Sequence, residues 1–122
     1  MPNEYRIIHY KNRRNKDLIE GYLDKLDIKT RAKIMAYITL LKERNITLRM
    51  PYAKKIKGEK DLWELRIKLF TNIHRIFYFA YSGKNIVLLH CFRKKEDKTP
   101  KQEITRAKNC LLDFLKRRNE FL

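Results

Sequence analysis

Acidic residues are what this sequence is short of. Asp and Glu number 14 against 30 Lys and Arg, a formal net charge of +16 at pH 7. Such an excess points to a polyanionic partner: nucleic acid, an acidic protein or an anionic membrane. The membrane reading is weak, because no apolar run approaches the roughly 20 residues that a spanning helix needs. Cysteine is scarce as well. Cys91 and Cys110 stand at a spacing that fits no metal-ligand motif, so they read as buried free thiols, and neither metal nor other cofactor is implied. The opening stretch MPNEYRIIHYKNRRNK turns polar after its first few residues, which predicts no signal peptide and a cytoplasmic protein. No repeat, low-complexity segment or linker marks a second domain. What is present, 43% apolar and 11% aromatic residues in 122, suits one folded domain over residues 1–122 with one modest core.

Residues 5–10 (YRIIHY) predict a first strand, rich in Ile and Tyr. Residues 15–26 place Leu18, Ile19, Tyr22, Leu23 and Leu26 at helical spacing. A second helix is predicted from about Thr30 to Arg44, with Ile34, Met35, Ile38 and Leu41 along one stripe. Residues 45–61 show no period. Pro51, Gly58 and a cluster of lysines mark them as an exposed loop, either functional or a solvated connector. Residues 62–95 read as three short strands joined by turns near Phe70-Thr71 and Gly83-Lys84. The last helix starts with Thr99 as cap, Pro100 at the first helical position and Gln102 completing a capping box. Ile104, Ala107, Leu111 and Leu115 form its apolar face, and the final KRRNEFL frays. The fold class is α+β, in the order β-α-α-β-β-β-α.

Basic residues and histidines lie inside the apolar runs of the three strands. Side chains alternate between sheet faces. If both turns have an even number of residues, Arg66 faces Arg75, Phe77 faces His90 and Arg75 faces Phe92, so Arg66, Arg75 and His90 share one sheet face. Two like charges side by side repel unless neutralised. A phosphate held between Arg66 and Arg75 would neutralise them, with His90 exchanging protons near neutral pH. Alternatively Arg75 pairs with Glu64 and His90 fills a satisfied site, and residue chemistry alone favours this second arrangement. Arg93, Lys94 and Lys95 emerge at the end of the sheet as a phosphate-binding rim or a solvated charge run. Lys54, Lys55 and Lys57 form the opposite rim on the long loop. Tyr52 and Tyr81 either stack on bases or pack at the margin of the core.

The run LWELRIKLFTNIHRIFYFAYSGKNIVLLHCFRKKEDKTP with the helix EITRAKNCLLDFL resembles the RelE/ParE toxin superfamily, and most of all its HigB branch with phage-derived relatives. The resemblance covers nearly the whole chain. It implies a small, strongly curved antiparallel sheet with helices on one side. It also implies a type II toxin that cleaves mRNA, often in the ribosomal A site and without a metal, and that a HigA-like helix-turn-helix antitoxin neutralises. By the resemblance Arg66 matches a phosphate-binding arginine, Arg75 the arginine of the next strand, and Lys94 or Lys95 the basic residue after the last strand. The lysines at 54, 55 and 57 match basic loop residues loosely. No tyrosine follows the last strand and the Asp-Tyr-His ending is missing, so the general base is open among His90, a lysine and the ribosome. The catalytic set is thus Arg66, Arg75, His90 and Lys94, with Lys54, Lys55, Lys57, Arg93 and Lys95 contacting RNA. Arg66 and Arg75 should each be replaceable by Ala without loss of the fold. Two alternatives stand beside this reading: a ParE-like inhibitor of DNA gyrase, and a non-enzymatic basic RNA-binding module.

Overall fold

A computed structural model describes residues 5–122; the first four residues of the stretch read for a signal peptide lie outside the described residues. Five strands form one open, mostly antiparallel sheet in the order β1-β5-β4-β3-β2: β1 (Arg6–His9), β2 (Ala53–Lys55), β3 (Trp63–Leu69), β4 (Asn72–Tyr81) and β5 (Asn85–Lys94). Only β1 runs parallel to its neighbour, β5. The helices are α1 (Leu18–Asp24), α2 (Ile28–Arg44), α3 (Lys101–Lys116) and α4 (Arg118–Phe121). The predicted α+β class stands, and β2 and α4 are added to the expected order. β2 is a three-residue edge strand inside the stretch read as loop, too short to show a period.

Helices cover both faces of the sheet, not one. α1 and α2 pack Ile19, Leu23, Ile34, Ile38 and Leu41 against Leu65, Ile67, Ile76, Tyr78 and Leu88. α3 packs Ala107 and Phe114 on the opposite face, against Phe77, Phe79, Val87, Leu89 and Phe92. This explains the composition of β4, where every residue from Ile73 to Phe79 is buried. A strand covered on both sides reads as a continuous apolar run rather than an alternation.

Side-chain caps start the first two helices. The Asp17 carboxylate accepts from the Glu20 amide, and that of Asp27 accepts from the Thr30 amide, so α2 begins two residues before its predicted start. α3 differs. Pro100 holds the cap position without a side-chain bond, and the Thr99 hydroxyl turns instead to the buried Glu64 carboxylate. The C-terminus is docked rather than frayed. Phe121 lies 4.7 Å from the Phe114 ring, and Arg117 bonds Asp113, whose carboxyl that guanidinium holds down at about 2. Both cysteines are free, with burial pushing their thiols up, that of Cys110 to about 11. Among the described residues no helix is long and apolar enough to cross a membrane.

Leu69 pairs with Asn72, leaving a two-residue turn of Phe70 and Thr71. Phe70 sits at φ 56°, a region that costs an L side chain about 1–2 kcal/mol and that hairpins normally fill with Gly or Asn. The second hairpin departs from expectation. Tyr81 pairs with Asn85, so its loop has three residues, with Gly83 at φ 75°. An odd loop flips the faces, but a bulge at Leu89 flips them back. Phe77 therefore still faces His90, and Arg75 still faces Phe92.

Two measurements check this architecture. Phe114 is fully buried and touches the rings of Phe79, Tyr81 and Phe121. Phe114→Ala should lower unfolding free energy by about 3–5 kcal/mol in urea titrations. His74, under α1, holds its Nδ1 2.7 Å from the Tyr22 hydroxyl, and burial lowers its pKa, helped by Arg93. The fold therefore takes up fewer protons than the unfolded chain below about pH 6.5, and stability should fall as pH drops through that value. Urea unfolding at stepped pH should show this drop in the parent and a smaller one in His74→Gln.

Candidate functional site

β3 and β4 pair so that Arg66 lies directly opposite Arg75, and Glu64 opposite Phe77, all on the α3 face. Glu64 and Arg75 are fully buried, while Arg66 keeps 8% of its surface. Arg66 Nη1 donates to Glu64 Oε1 at 2.7 Å, and Arg75 Nη1 lies 3.8 Å from Oε2 of the same carboxylate. The repulsion expected between the arginines is thus met from within the sheet. A strap of residues 96–100, between β5 and α3, closes over them. Arg75 Nη1 donates to the Lys98 carbonyl at 3.0 Å and the Asp97 carbonyl at 3.3 Å. Arg66 reaches the Asp97 carbonyl at 3.3 Å and its carboxylate at 3.4 Å. Thr99 donates to Glu64. The Arg75 guanidinium lies over the Phe92 ring, and its Nε and Nη2 have no hydrogen-bond partner among the described residues. Burial lowers its pKa, opposed chiefly by Glu64.

His90 lies on the same face, two residues along β5 from Phe92 and so about 7 Å from the Arg75 level. Its ring stacks on Phe77 and Phe92. Its Nε2 is 2.7 Å from Glu103 Oε1, and Arg106 approaches the same carboxylate at 3.6 Å. With Nε2 donating to the carboxylate, Nδ1 is the free basic nitrogen. The sequence reading missed Glu103, although a carboxylate in the first turn of the helix after the strand was there to be seen.

One cleft, of about 220 Å³, opens onto this cluster. Tyr37, Met50, Pro51, Arg66, Lys68, Ile73 and Asp97 line it, so Arg66 is the solvent edge of the arginine pair and Arg75 its buried back. Lys68 and Asp97 were not among the predicted residues. Lys68 was legible, being two positions from Arg66 and therefore on the same face.

The expected rims divide across the sheet. Lys94 pairs with Ile73 on the arginine face. Arg93 points to the other face, where it lines a small cleft with Tyr22, Lys25 and Leu26. Lys54 pairs with Glu64 on the arginine face and Lys55 with Trp63 on the opposite one. Lys57 and Lys95 are exposed beyond their strands. Tyr81 packs on Phe79 and Phe114, while Tyr52 is 38% exposed with its ring against Tyr37. Among the described residues no group of three or more His, Cys, Asp or Glu is placed to hold a metal.

The burial bears on the expected alanine replacements. Arg66→Ala and Arg75→Ala each leave Glu64 with one cation fewer and remove a donor to the strap, so each acts on stability as well as on any chemistry. Glu64→Gln should be still more damaging. It leaves the two buried guanidiniums with only the exposed Asp97 carboxylate, 3.4 Å from Arg66, as counter-charge, and should cost about 3–5 kcal/mol in chemical denaturation.

Residues 21–111, from within α1 into α3, match the family described as Phage derived protein Gp49-like (DUF891). No curated protein matches the chain.

Proposed function

The chain belongs to the phage-derived Gp49-like family, which is grouped with the toxins of toxin–antitoxin systems, and from that premise we propose that it is an endoribonuclease acting on mRNA. The observation that carries this reading is the arginine pair on adjacent strands, with Arg66 and Lys68 opening together onto a basic cleft. The scissile phosphate takes the place of the Asp97 carboxylate at Arg66. That carboxylate is 89% exposed and only 3.4 Å from Nη2, a weakly held anion that a phosphate can displace.

The chemistry asked of the site is modest. The ribose 2′-oxygen loses its proton to a base and attacks the adjacent phosphorus. The bond to the 5′-oxygen breaks and that oxygen takes a proton from an acid, leaving a 2′,3′-cyclic phosphate and a 5′-hydroxyl. Arg66, backed by Arg75, stabilises the charge that builds on the phosphoryl oxygens. His90, oriented by Glu103, is the base of this proposal, and Lys94 the acid. General acid–base help of this kind is worth about 10²–10⁴ in rate. The charge of +16 draws the protein to ribosomal RNA, so cleavage on the ribosome, in its A site, belongs to the same proposal. An antitoxin of the HigA-like helix-turn-helix kind, with an acidic segment, is the partner that fits a basic toxin.

A second reading has its own observation. Glu64 already offsets one of the two arginine charges within the sheet, as in a face that binds an anion without cutting it. The basic face would then bind RNA, or act on DNA gyrase, without catalysis. Induced expression separates the two. The proposed enzyme should arrest bacterial growth and yield new mRNA ends within translated regions by primer extension. Arg66→Ala should abolish those ends when compared at matched soluble expression. Under the second reading the ends are absent from the start, and Arg66→Ala only weakens RNA binding and its salt dependence.

A further inference from the structure

The tip of the β3–β4 hairpin carries a residue that the fold itself does not use. Phe70 is 90% exposed and belongs to neither core, yet it occupies a left-handed position, φ 56°, that Asn or Gly fills without strain. A bulky aromatic displayed at a strained turn is the pattern of a site that touches a ligand. Its surroundings say which ligand. Lys68 precedes it by two residues, about 7 Å along the strand, and lines the cleft with Arg66. Lys33 of α2 donates to the Lys68 carbonyl, which brings a second ammonium to the hairpin. On the other side of the turn, Ile73 pairs with Lys94. The ring is flanked by Leu69, Thr71 and Asn72, of which only Leu69 is apolar and that one is half-buried. A single ring bordered by cations suits a base whose phosphates lie on those cations, and offers little to an apolar protein surface.

We propose that Phe70 is a stacking platform for an unpaired nucleobase of single-stranded RNA, with the adjoining phosphates running over Lys68 to Arg66. The proposal rests on the RNA reading above and adds to it the residue that selects unpaired over paired RNA, because bases already stacked in a duplex present no free face. Phe70 is a positioning residue. It sets how the chain enters the cleft, not the bond that breaks.

The test uses a short fluorescein-labelled 2′-O-methyl RNA, which cannot be cleaved through its 2′-oxygen, as a single strand and as a duplex, in anisotropy titrations over a salt series. Phe70→Asn should weaken single-strand binding about 5- to 150-fold, the value of one lost base–aromatic stack. It should leave duplex binding and the salt slope unchanged, since phosphate contacts set that slope. Its Tm should be unchanged or higher by about 4 °C, because Asn relieves the turn. Phe70→Trp should keep single-strand affinity. Unchanged affinity in Phe70→Asn overturns the proposal, as does a loss shared by Phe70→Trp with a lowered Tm, which marks a structural role. Intact RNA binding with loss of an antitoxin or other protein partner assigns Phe70 to a protein interface and overturns it equally. If the parent cleaves mRNA and Phe70→Asn binds as the parent does, this inference alone fails. If the parent binds no single-stranded RNA, the proposed function fails with it.

Discussion

One carboxylate holds the arginine face of the sheet together. Glu64 is fully buried and meets Arg66, Arg75 and Thr99. Without it, two guanidiniums on adjacent strands would push β3 and β4 apart at their centre. With it, the pair is one cation in excess, and carbonyls from residues 97 and 98 take up donors that the carboxylate cannot reach. The strap that supplies those carbonyls leads straight into α3, so the start of that helix is set by charge compensation as much as by helix signals. Such a cluster is a poor device for stability alone. Burying ions costs more than packing apolar side chains of the same volume. Among the described residues two donors of Arg75 are also left without partners, a further cost of the burial.

The sheet separates two sets of polar side chains. The α3 face carries Glu64, the two arginines and the His90–Glu103 pair. The α1–α2 face carries Tyr22, His74 and Arg93, with the Tyr22 hydroxyl bonded to His74 at 2.7 Å. Burial raises the Tyr22 phenol to about 12 and lowers His74, so burial favours the uncharged form of both. The second set fills its sites without bringing charge into the core. The first brings charge in and balances it.

Much of the arginine face was legible from strand alternation, but for a reason only half correct. The pairing of Arg66 with Arg75 follows from a two-residue turn, as the sequence suggests. The pairing of Phe77 with His90 survives because an odd loop and the Leu89 bulge cancel, and neither leaves a mark on the apolar pattern. The same alternation, applied to Lys54-Lys55 and to Arg93-Lys94, splits both basic runs across the sheet; treating them as clusters of neighbours hid this. Cover on both faces was not read, because His74 and Arg75 interrupt the apolar run of β4 and the resemblance implied helices on one side. Nor was the fate of Thr99. Cap signals are local, whereas its hydroxyl is claimed by a carboxylate 35 positions earlier. The docking of the last turn, through Phe121 on Phe114, is likewise a contact that no periodicity encodes.

The parallel strand at the sheet edge has a consequence for how the protein comes into being. Among the described residues β1 pairs with β5 alone, so the first strand made must wait for the last, and the intervening helices and hairpins cannot seal the sheet around it. Closing so long a loop early is entropically costly, and contacts of this separation form late. The strap over Arg66 and Arg75 is later still, coming after β5. During synthesis there is therefore a stage at which β3 and β4 exist but the residues that shield their arginines do not. At that stage Glu64 alone faces the two cations, while the nascent chain is still tethered to the ribosome that is making it.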